Sequence, residues 1–237
     1  MTAHLTNNSV YFADEEAKKQ GIMLLLDKPK EYTSARVVNI VKKFLNVNKA
    51  GHSGTLDPKA TGLMIICTGK MTKKLNDLLG SEKEYEGTMI LGEKTMSFDS
   101  ETEVYERTEI SHITEERIKD NVKGFLGDLQ QIPPMFSAVK HKGKPLYKMA
   151  RKGIVMERAP RNINIKEFEI TAVDMPRVDF RVNCSKGTYI RTLVSDFGEK
   201  LGTGAYLKEL RRTRIGDYDI KDSITVDDFI IRNSSRN

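Results

Sequence analysis

Two neighbouring segments in which apolar and polar residues alternate constrain the fold more than any other feature of this chain. They are RNINIKEFEITAV (161–173) and PRVDFRVNCSKG (176–187). Alternation with a period of two puts every second side chain on one face, as in antiparallel strands. The next segment, YIRTLVSDFGEKLG (189–202), changes to helical spacing. Paired strands with interspersed helices predict a mixed fold, α/β or α+β.

Other segments predict further strands and helices. Short apolar runs predict strands within 21–29 and 63–69. Alternation in KEYEGTMIL (83–91) predicts a strand with Tyr85, Gly87, Met89 and Leu91 on one face. Helical spacing and capping residues predict a helix capped by Ser34, a helix after Gly69 and a helix over 114–126 capped by Thr114. They also predict helices in GAYLKELRR (204–212) and VDDFII (226–231). A proline pair predicts that QQIPPMFSAV (130–139) is an extended loop. We expect a polar lead-in at 1–20 and one domain over 21–232.

The composition argues against membrane and secreted classes. No apolar run approaches the roughly 18 residues that a membrane span needs. The N-terminus lacks the basic and then apolar pattern of a signal peptide. Cys67 and Cys184 are far apart in the sequence and predict reduced thiols. We therefore expect a cytoplasmic protein with no membrane partner.

The basic residues are clustered as well as in excess. The net charge is +6, and lysines and arginines concentrate at 140–153, 158–166 and 211–214. Any single cluster is typical of a solvated surface. Three clusters with Tyr147 and Tyr206 interleaved favour a nucleic-acid partner.

The segment GHSGTLDP (51–58) allows three interpretations. A nucleophile elbow needs a glycine two residues after Ser53, and threonine stands there. A phosphate loop needs four residues between its glycines, but six apolar or small residues separate Gly62 from Gly69. The third interpretation is that the loop holds the carboxylate of Asp57 at the edge of the core. An ordinary Asp-Pro turn remains the alternative for Asp57.

Five motifs in order resemble those of the TruB family of tRNA pseudouridine synthases, over about residues 21–220. They are LLDKP…TS (25–34), GHSGTLDPKATGLMIICTGKMTK (51–73), KEYEGTMILGEKTMSFDSE (83–101), QIPPMFSAVKHKGKPLYKMARKG (131–153) and CSKGTYIRTLVSDFGEKLGTGAYLKELRRTRIG (184–216). The sequence departs from the family pattern at Glu31, where a glycine is usual, and at Ser97, where a threonine is usual.

The resemblance implies an α+β fold of the pseudouridine synthase type, with a mixed, mostly antiparallel central sheet flanked by helices and loops. It also implies the reaction, in which the bond from uracil N1 to ribose C1′ breaks, the base turns, and C5 joins C1′. The implied substrate is the T-loop uridine of tRNA, position 55, which must be flipped out of its stack. No cofactor or metal is expected, and the histidines and cysteines show no ligand spacing.

Site residues are implied by the same motifs. Asp57 is expected to be the catalytic carboxylate, acting either as a nucleophile at C1′ or through a glycal. Tyr85 is expected to stack on the flipped uracil, and Arg191 to pair with Asp57. The pocket and substrate contacts implied for the remaining motif positions are His52, Tyr189, Leu210, Asp99, Lys28 and Pro29.

The expected partner is the T stem-loop of tRNA, bound by a monomer without the C-terminal PUA-type domain of many bacterial members. Two other functions remain open. One is a non-catalytic chaperone that binds and refolds tRNA. The other is a pseudouridine synthase that acts on other RNA resembling a T arm.

Overall fold

The computed structural model describes residues 20–137, 139–141 and 143–234. Residues 1–19 of the predicted lead-in therefore lie outside the described residues. The chain divides into two compact units. Unit 1 comprises Met1–Tyr85 and Arg211–Asn237, and unit 2 comprises Glu86–Leu210. A single domain over 21–232 stays a prediction.

The helices are α1 (Ser34–Leu45), α2 (Leu75–Gly80), α3 (Glu115–Asn121), α4 (Leu146–Ala150), α5 (Ile190–Leu201) and α6 (Val226–Ser234). The strands are β1 (Met23–Lys28), β2 (Ala50–His52), β3 (Thr61–Thr68), β4 (Lys83–Leu91), β5 (Glu93–Thr95), β6 (Val104–Arg107), β7 (Gly127–Gln131), β8 (Lys140–His141), β9 (Lys144–Pro145), β10 (Arg161–Asp174), β11 (Arg177–Cys184), β12 (Ala205–Ile215), β13 (Tyr218–Asp219) and β14 (Ile224–Thr225).

The strands of unit 1 follow the order β14-β1-β3-β12, with β2 paired to β3 and β13 paired to β12. β1 runs antiparallel to β3, from the pair Met23 and Cys67 to the pair Lys28 and Gly62. β3 runs parallel to β12. All of β3 after Thr61 is buried, which explains why its sequence is a continuous apolar run rather than an alternating one. The strands predicted within 21–29 and 63–69 are confirmed.

The sheet of unit 2 has the order β12-β4-β11-β10-β7. β10 pairs antiparallel with both β11 and β7, so the strands predicted from alternation are confirmed. Their inward side chains meet α5 in an aromatic cluster, with ring centroids 5.6–6.4 Å apart, formed by Phe125, Phe168, Phe180 and Phe197. α5 ends at Gly202, whose φ of 82° needs the left-handed conformation that glycine adopts readily.

Two local predictions are wrong. GAYLKELRR forms strand β12 and not a helix, because its backbone pairs in the sheet and Ala205, Tyr206 and Leu207 are buried there. Sheet pairing overrides the helical preference of the leucines, lysine and glutamate. The N-cap of α1 is Thr33, whose side chain accepts from the Arg36 amide, whereas Ser34 is the first helical residue.

The remaining helices and strands are of the predicted type. α3 begins after its capping residue Thr114 and has Glu115 and Glu116 in its first turn. The segment after Gly69 starts as a 3₁₀-helix, Gly69–Lys74, before α2. A mostly antiparallel sheet with helices confirms the predicted α+β class. No helix in the part of the chain that the structure describes is long and apolar enough to cross a membrane.

Candidate active site

Asp57 lies half-buried in the loop 53–60, here called the aspartate loop, between β2 and β3. Its carbonyl accepts from the Ala60 amide at 3.1 Å, so a tight turn follows it. The Ser34 hydroxyl donates to the Leu56 carbonyl at 3.0 Å and accepts from the Leu56 amide at 2.9 Å. One buried hydroxyl on α1 thus satisfies both backbone groups of the residue before Asp57 and fixes the loop there.

Lys28 holds the loop from the end of β1. Its side chain is fully buried, and Nζ donates to the carbonyls of Pro29 (2.9 Å), Tyr32 (2.7 Å) and Pro58 (3.3 Å). Burial lowers the pKa of Lys28 to about 8, against the opposing effect of the Asp57 charge. The ammonium group thus interacts electrostatically with Asp57, and its hydrogen bonds join the backbone of the segment 29–32 to the aspartate loop.

Arg212 is a third support and was not singled out in the sequence. It is 1% exposed, and its guanidinium donates to the Leu63 carbonyl at 2.8 Å and the Gly54 carbonyl at 3.1 Å. Gly62 lets the backbone of β12 pack closely against β3 at Arg212, because a Cβ at Gly62 would lie 2.3 Å from the Arg212 carbonyl oxygen. The assignment of 211–214 to a nucleic-acid surface is therefore wrong for Arg212, since a buried guanidinium cannot reach a ligand.

The predicted nucleic-acid contacts of two other residues, Tyr206 and Arg211, also need correction. Tyr206 is 7% exposed and packs in β12, so it is not available to stack on a base. Arg211 is partly exposed, but it makes a two-point ion pair with Asp27 at 3.2 and 2.6 Å. Of that cluster Arg214 is exposed, and in unit 2 the exposed basic residues of the other two clusters include Lys144, Lys148, Lys152, Arg161 and Lys166.

His52 is half-buried at the end of β2, beside the aspartate loop. Its Nδ1 accepts from the Gly54 amide at 3.2 Å, so a neutral ring carries its proton on Nε2. Burial lowers the pKa of His52, and the Arg212 charge lowers it further. Both effects favour the neutral form of the imidazole.

Tyr85 lies on β4 with 8% of its surface exposed, and Met89 and Leu91 are buried on the same strand. The predicted shared face of Tyr85, Met89 and Leu91 is therefore confirmed, and it is buried. Unit 1 thus contains five of the predicted site residues: Lys28, Pro29, His52, Asp57 and Tyr85.

Arg191 and Asp99 form a buried ion pair in unit 2. Arg191 lies in the first turn of α5, and its Nε is 3.5 Å from Oδ2 of Asp99. Its other nitrogens donate to the Ser97 carbonyl at 3.1 Å and the Phe136 carbonyl at 2.8 Å. Asp99 also accepts from the Ser97 hydroxyl at 2.5 Å and the Glu101 amide at 2.9 Å. Serine at 97 thus supplies the hydroxyl that a threonine would, while pairing of Arg191 with Asp57 stays a prediction.

Tyr189 and Leu210 are the remaining predicted residues, both in unit 2. Tyr189 precedes α5, and its backbone amide and carbonyl bond the Gln131 side chain at 2.8 and 3.1 Å. Leu210 is half-buried in β12. The motifs containing Ser34 and Gln131 were noted in the sequence, but only the structure shows that these side chains fix backbone. No described group of three or more histidine, cysteine, aspartate or glutamate side chains is arranged to hold a metal.

Comparison with known families assigns almost the whole described chain. Residues 42–190 match the model of the TruB family pseudouridylate synthase N-terminal domain. Residues 191–232 match that of the tRNA pseudouridylate synthase B C-terminal domain. The chain is similar to tRNA pseudouridine synthase B of Flavobacterium johnsoniae, with 49% identity over 87% of this chain and 93% of the relative. The enzyme of the same name from Chloroherpeton thalassium is 47% identical, over 89% of each chain.

Solved structures agree on the fold. A chain in the crystal structure of a Cbf5-Nop10-Gar1 complex superposes with a TM-score of 0.71 and 33% identity, covering 93% of this chain and 58% of that one. One in the structure of an H/ACA RNP bound to a substrate RNA containing 2′-deoxyuridine gives a TM-score of 0.68 with 30% identity, covering 93% and 57%. The present chain therefore spans under two thirds of these solved chains.

Fold and family matches together define an isomerase of the pseudouridine synthase class, as expected from the motifs. Within that class, the chain belongs to the TruB family.

Proposed function

We propose that this protein converts the T-loop uridine of tRNA, position 55, to pseudouridine. The relatives of nearly equal length are tRNA pseudouridine synthases, which supports tRNA as the substrate. The observation that carries the proposal is the support of the aspartate loop. Buried Ser34, Lys28 and Arg212 all bond its backbone, and no sheet or helix would need that arrangement. A loop held so firmly suits a carboxylate that must meet one atom of a substrate.

The reaction would begin with the uridine flipped out of the T loop. As the N1–C1′ bond breaks, its electron pair goes to the uracil, and positive charge develops at C1′. The Asp57 carboxylate stabilises that charge, either by bonding to C1′ or by taking a ribose proton to give a glycal. The base then turns and C5 bonds to C1′, while the bond from Asp57 to C1′ breaks or, in the glycal route, the ribose takes its proton back from Asp57. The C5 proton is then lost and N1 gains one. Atoms and electrons balance without a cofactor.

The other side chains would orient and enclose the base. Tyr85 would stack on the uracil from β4, and Arg191, fixed by Asp99, would pair with Asp57. Neutral His52 is suited to the space that the flipped base leaves, because an uncharged ring costs less to place among bases. Tyr189 and Leu210 would line the pocket, with Lys28 and Pro29 shaping its base. We propose that the enzyme acts as a monomer in the cytoplasm.

The experiment is incubation with an unmodified tRNA transcript, followed by mapping of pseudouridine. We expect modification at position 55 and none in a transcript with cytidine there. Modification at another position, or none, would contradict the proposed substrate. Tight binding of tRNA without modification would instead support a non-catalytic chaperone.

Asp57→Asn tests the chemistry. We expect tritium release from C5-labelled uridine tRNA to fall by roughly 10³-fold or more, because the amide cannot stabilise positive charge at C1′. tRNA affinity and Tm should change little. Asp217→Asn, at an exposed turn of unit 1, is the matched control and should keep wild-type turnover. Wild-type release by Asp57→Asn would exclude Asp57 as the catalytic group.

A further inference from the structure

Tyr32 and Arg36, here called the stacked pair, form a cation–π contact outside the proposed active-site residues. The Arg36 guanidinium carbon lies 3.7 Å from the centre of the Tyr32 ring. Arg36 is exposed and Tyr32 is half-buried. No carboxylate among the described residues is within ion-pair distance of Arg36. The tyrosine ring covers one face of the guanidinium and leaves a planar cation accessible from the other side.

Arg36 stands where a helix favours a different residue. Thr33 caps α1, and Arg36 is the third residue after it, where glutamate or glutamine completes a capping box. The first turn of α1 contains no acidic residue. A cation there opposes the helix dipole and destabilises the helix. Departures of this kind from a local rule are typical of functional positions.

Hydrogen bonds of residues 31 and 32 connect the stacked pair to the aspartate loop. The Tyr32 carbonyl accepts from Nζ of Lys28, which also bonds the Pro58 carbonyl. The Glu31 amide donates to the same Pro58 carbonyl at 2.8 Å, and the Glu31 carboxylate pairs with Lys59 at 2.9 Å. Glu31 has a φ of 66°, a conformation that favours glycine, and keeps it with these contacts. A ligand bound to the stacked pair is therefore held at a fixed place relative to this loop.

We propose that the stacked pair is an RNA-contact site, in which an unpaired nucleobase of the substrate stacks on Arg36. This inference rests on the proposed function, because it assumes the same RNA substrate. Guanidinium planes stack on unpaired bases in RNA complexes, and every base offers a face for stacking. A ring that already holds the guanidinium in place reduces the entropy lost on binding.

Arg36→Gln separates this role from a structural one, because the two predict opposite signs. Glutamine can complete the capping box and removes the unfavourable charge, so Tm should rise by about 1–3 °C. The lost stacking should raise KM for substrate RNA about tenfold, with kcat within about twofold of wild type.

Arg117→Gln is the matched control. Arg117 is also exposed and third after a threonine cap, but Glu115 and Glu116 precede it and no aromatic ring of the described residues stacks on it. We expect Arg117→Gln to keep the wild-type KM. A wild-type KM for Arg36→Gln would overturn the inference, and so would an equal rise in KM for both variants.

Abasic substitution in the RNA identifies the stacking partner. The bases of the unpaired loop are removed one at a time, and KM is measured with wild type and Arg36→Gln. At one position we expect base removal to raise KM about tenfold for wild type and hardly at all for the variant. Additive effects at every position would mean that Arg36 contacts only the backbone, and would overturn base stacking.

The activity of the wild-type enzyme distinguishes a failure of this inference from a failure of the proposed function. If wild type does not modify tRNA, the proposed function fails whatever Arg36 does. If wild type is active and Arg36→Gln has a normal KM, only the stacking site is wrong.

Discussion

Two sets of basic residues in this chain differ in burial and in what they bond. The buried set, Lys28, Arg191 and Arg212, donates hydrogen bonds to backbone carbonyls at 2.7–3.3 Å. The exposed set, Lys144, Lys148 and Lys152, lies on or next to β9 and α4 in unit 2. All six count equally toward the net charge. Net charge and charge clusters in the sequence therefore overestimate how many cations are available to bind nucleic acid, because some of them donate hydrogen bonds to backbone inside the protein.

The buried set should control the chemical step, and its largest effect is expected at Arg191. Arg191→Lys keeps the charge but cannot reach Asp99, Ser97 and Phe136 at once, since an ammonium lacks the planar fork. Single-turnover isomerisation at saturating tRNA should slow about 100-fold, equivalent to ~2.7 kcal/mol. Arg177→Lys, at a partly exposed ion pair, is the control and should keep its rate. A rate for Arg191→Lys within threefold of wild type would show that the contacts of Arg191 do not control the chemical step.

A smaller effect is expected on the pH dependence of stability at Lys28. Folded Lys28 loses its proton near pH 8, whereas the unfolded chain keeps it until about pH 10.5. Between these values the unfolded state binds more protons, so the free energy of unfolding rises with pH. Lys28→Met has no amine at this position, so this contribution to the pH dependence of the free energy of unfolding is absent. From pH 7.5 to 9.5 the difference between wild type and variant should shift by ~2 kcal/mol in favour of wild type.

Urea unfolding of both proteins at the two pH values measures that shift. Burial raises the pKa of the Cys67 thiol to about 11, which acts in the opposite direction, but it is common to both proteins and cancels. A difference that is independent of pH would show that Lys28 keeps an ordinary pKa and is not desolvated.

The sequence predicted periodic elements and motif residues well, but it could not predict what buried polar groups bond. β10, β11 and α5 follow from spacing, because one face of each meets the core. β12 does not, because pairing in the sheet outweighs the preference of KELRR for a helix. Within that strand Arg212 looks like a surface residue, since only the folded chain brings the carbonyls of Gly54 and Leu63 to it.

The hydrogen bonds of the candidate active site were likewise not predictable from the sequence. The motifs supplied Asp57, Lys28 and Arg191, but the paired hydrogen bonds of Ser34 to Leu56 join residues 22 apart. Such bonds depend on how α1 packs beside the aspartate loop, and no periodicity records that packing.

The most direct test of the difference between the two sets is the salt dependence of kcat/KM for tRNA. Each lost phosphate contact lowers the slope of log(kcat/KM) against log[KCl] by roughly 0.7–0.9. Replacing Lys144, Lys148 and Lys152 together by alanine should therefore flatten the slope by roughly 2–3 while leaving kcat near wild type. Arg212→Lys should lower kcat and keep the wild-type slope, because a buried cation contacts no phosphate. A wild-type slope for the triple variant, or a flattened slope for Arg212→Lys, would contradict the assignment of the two sets.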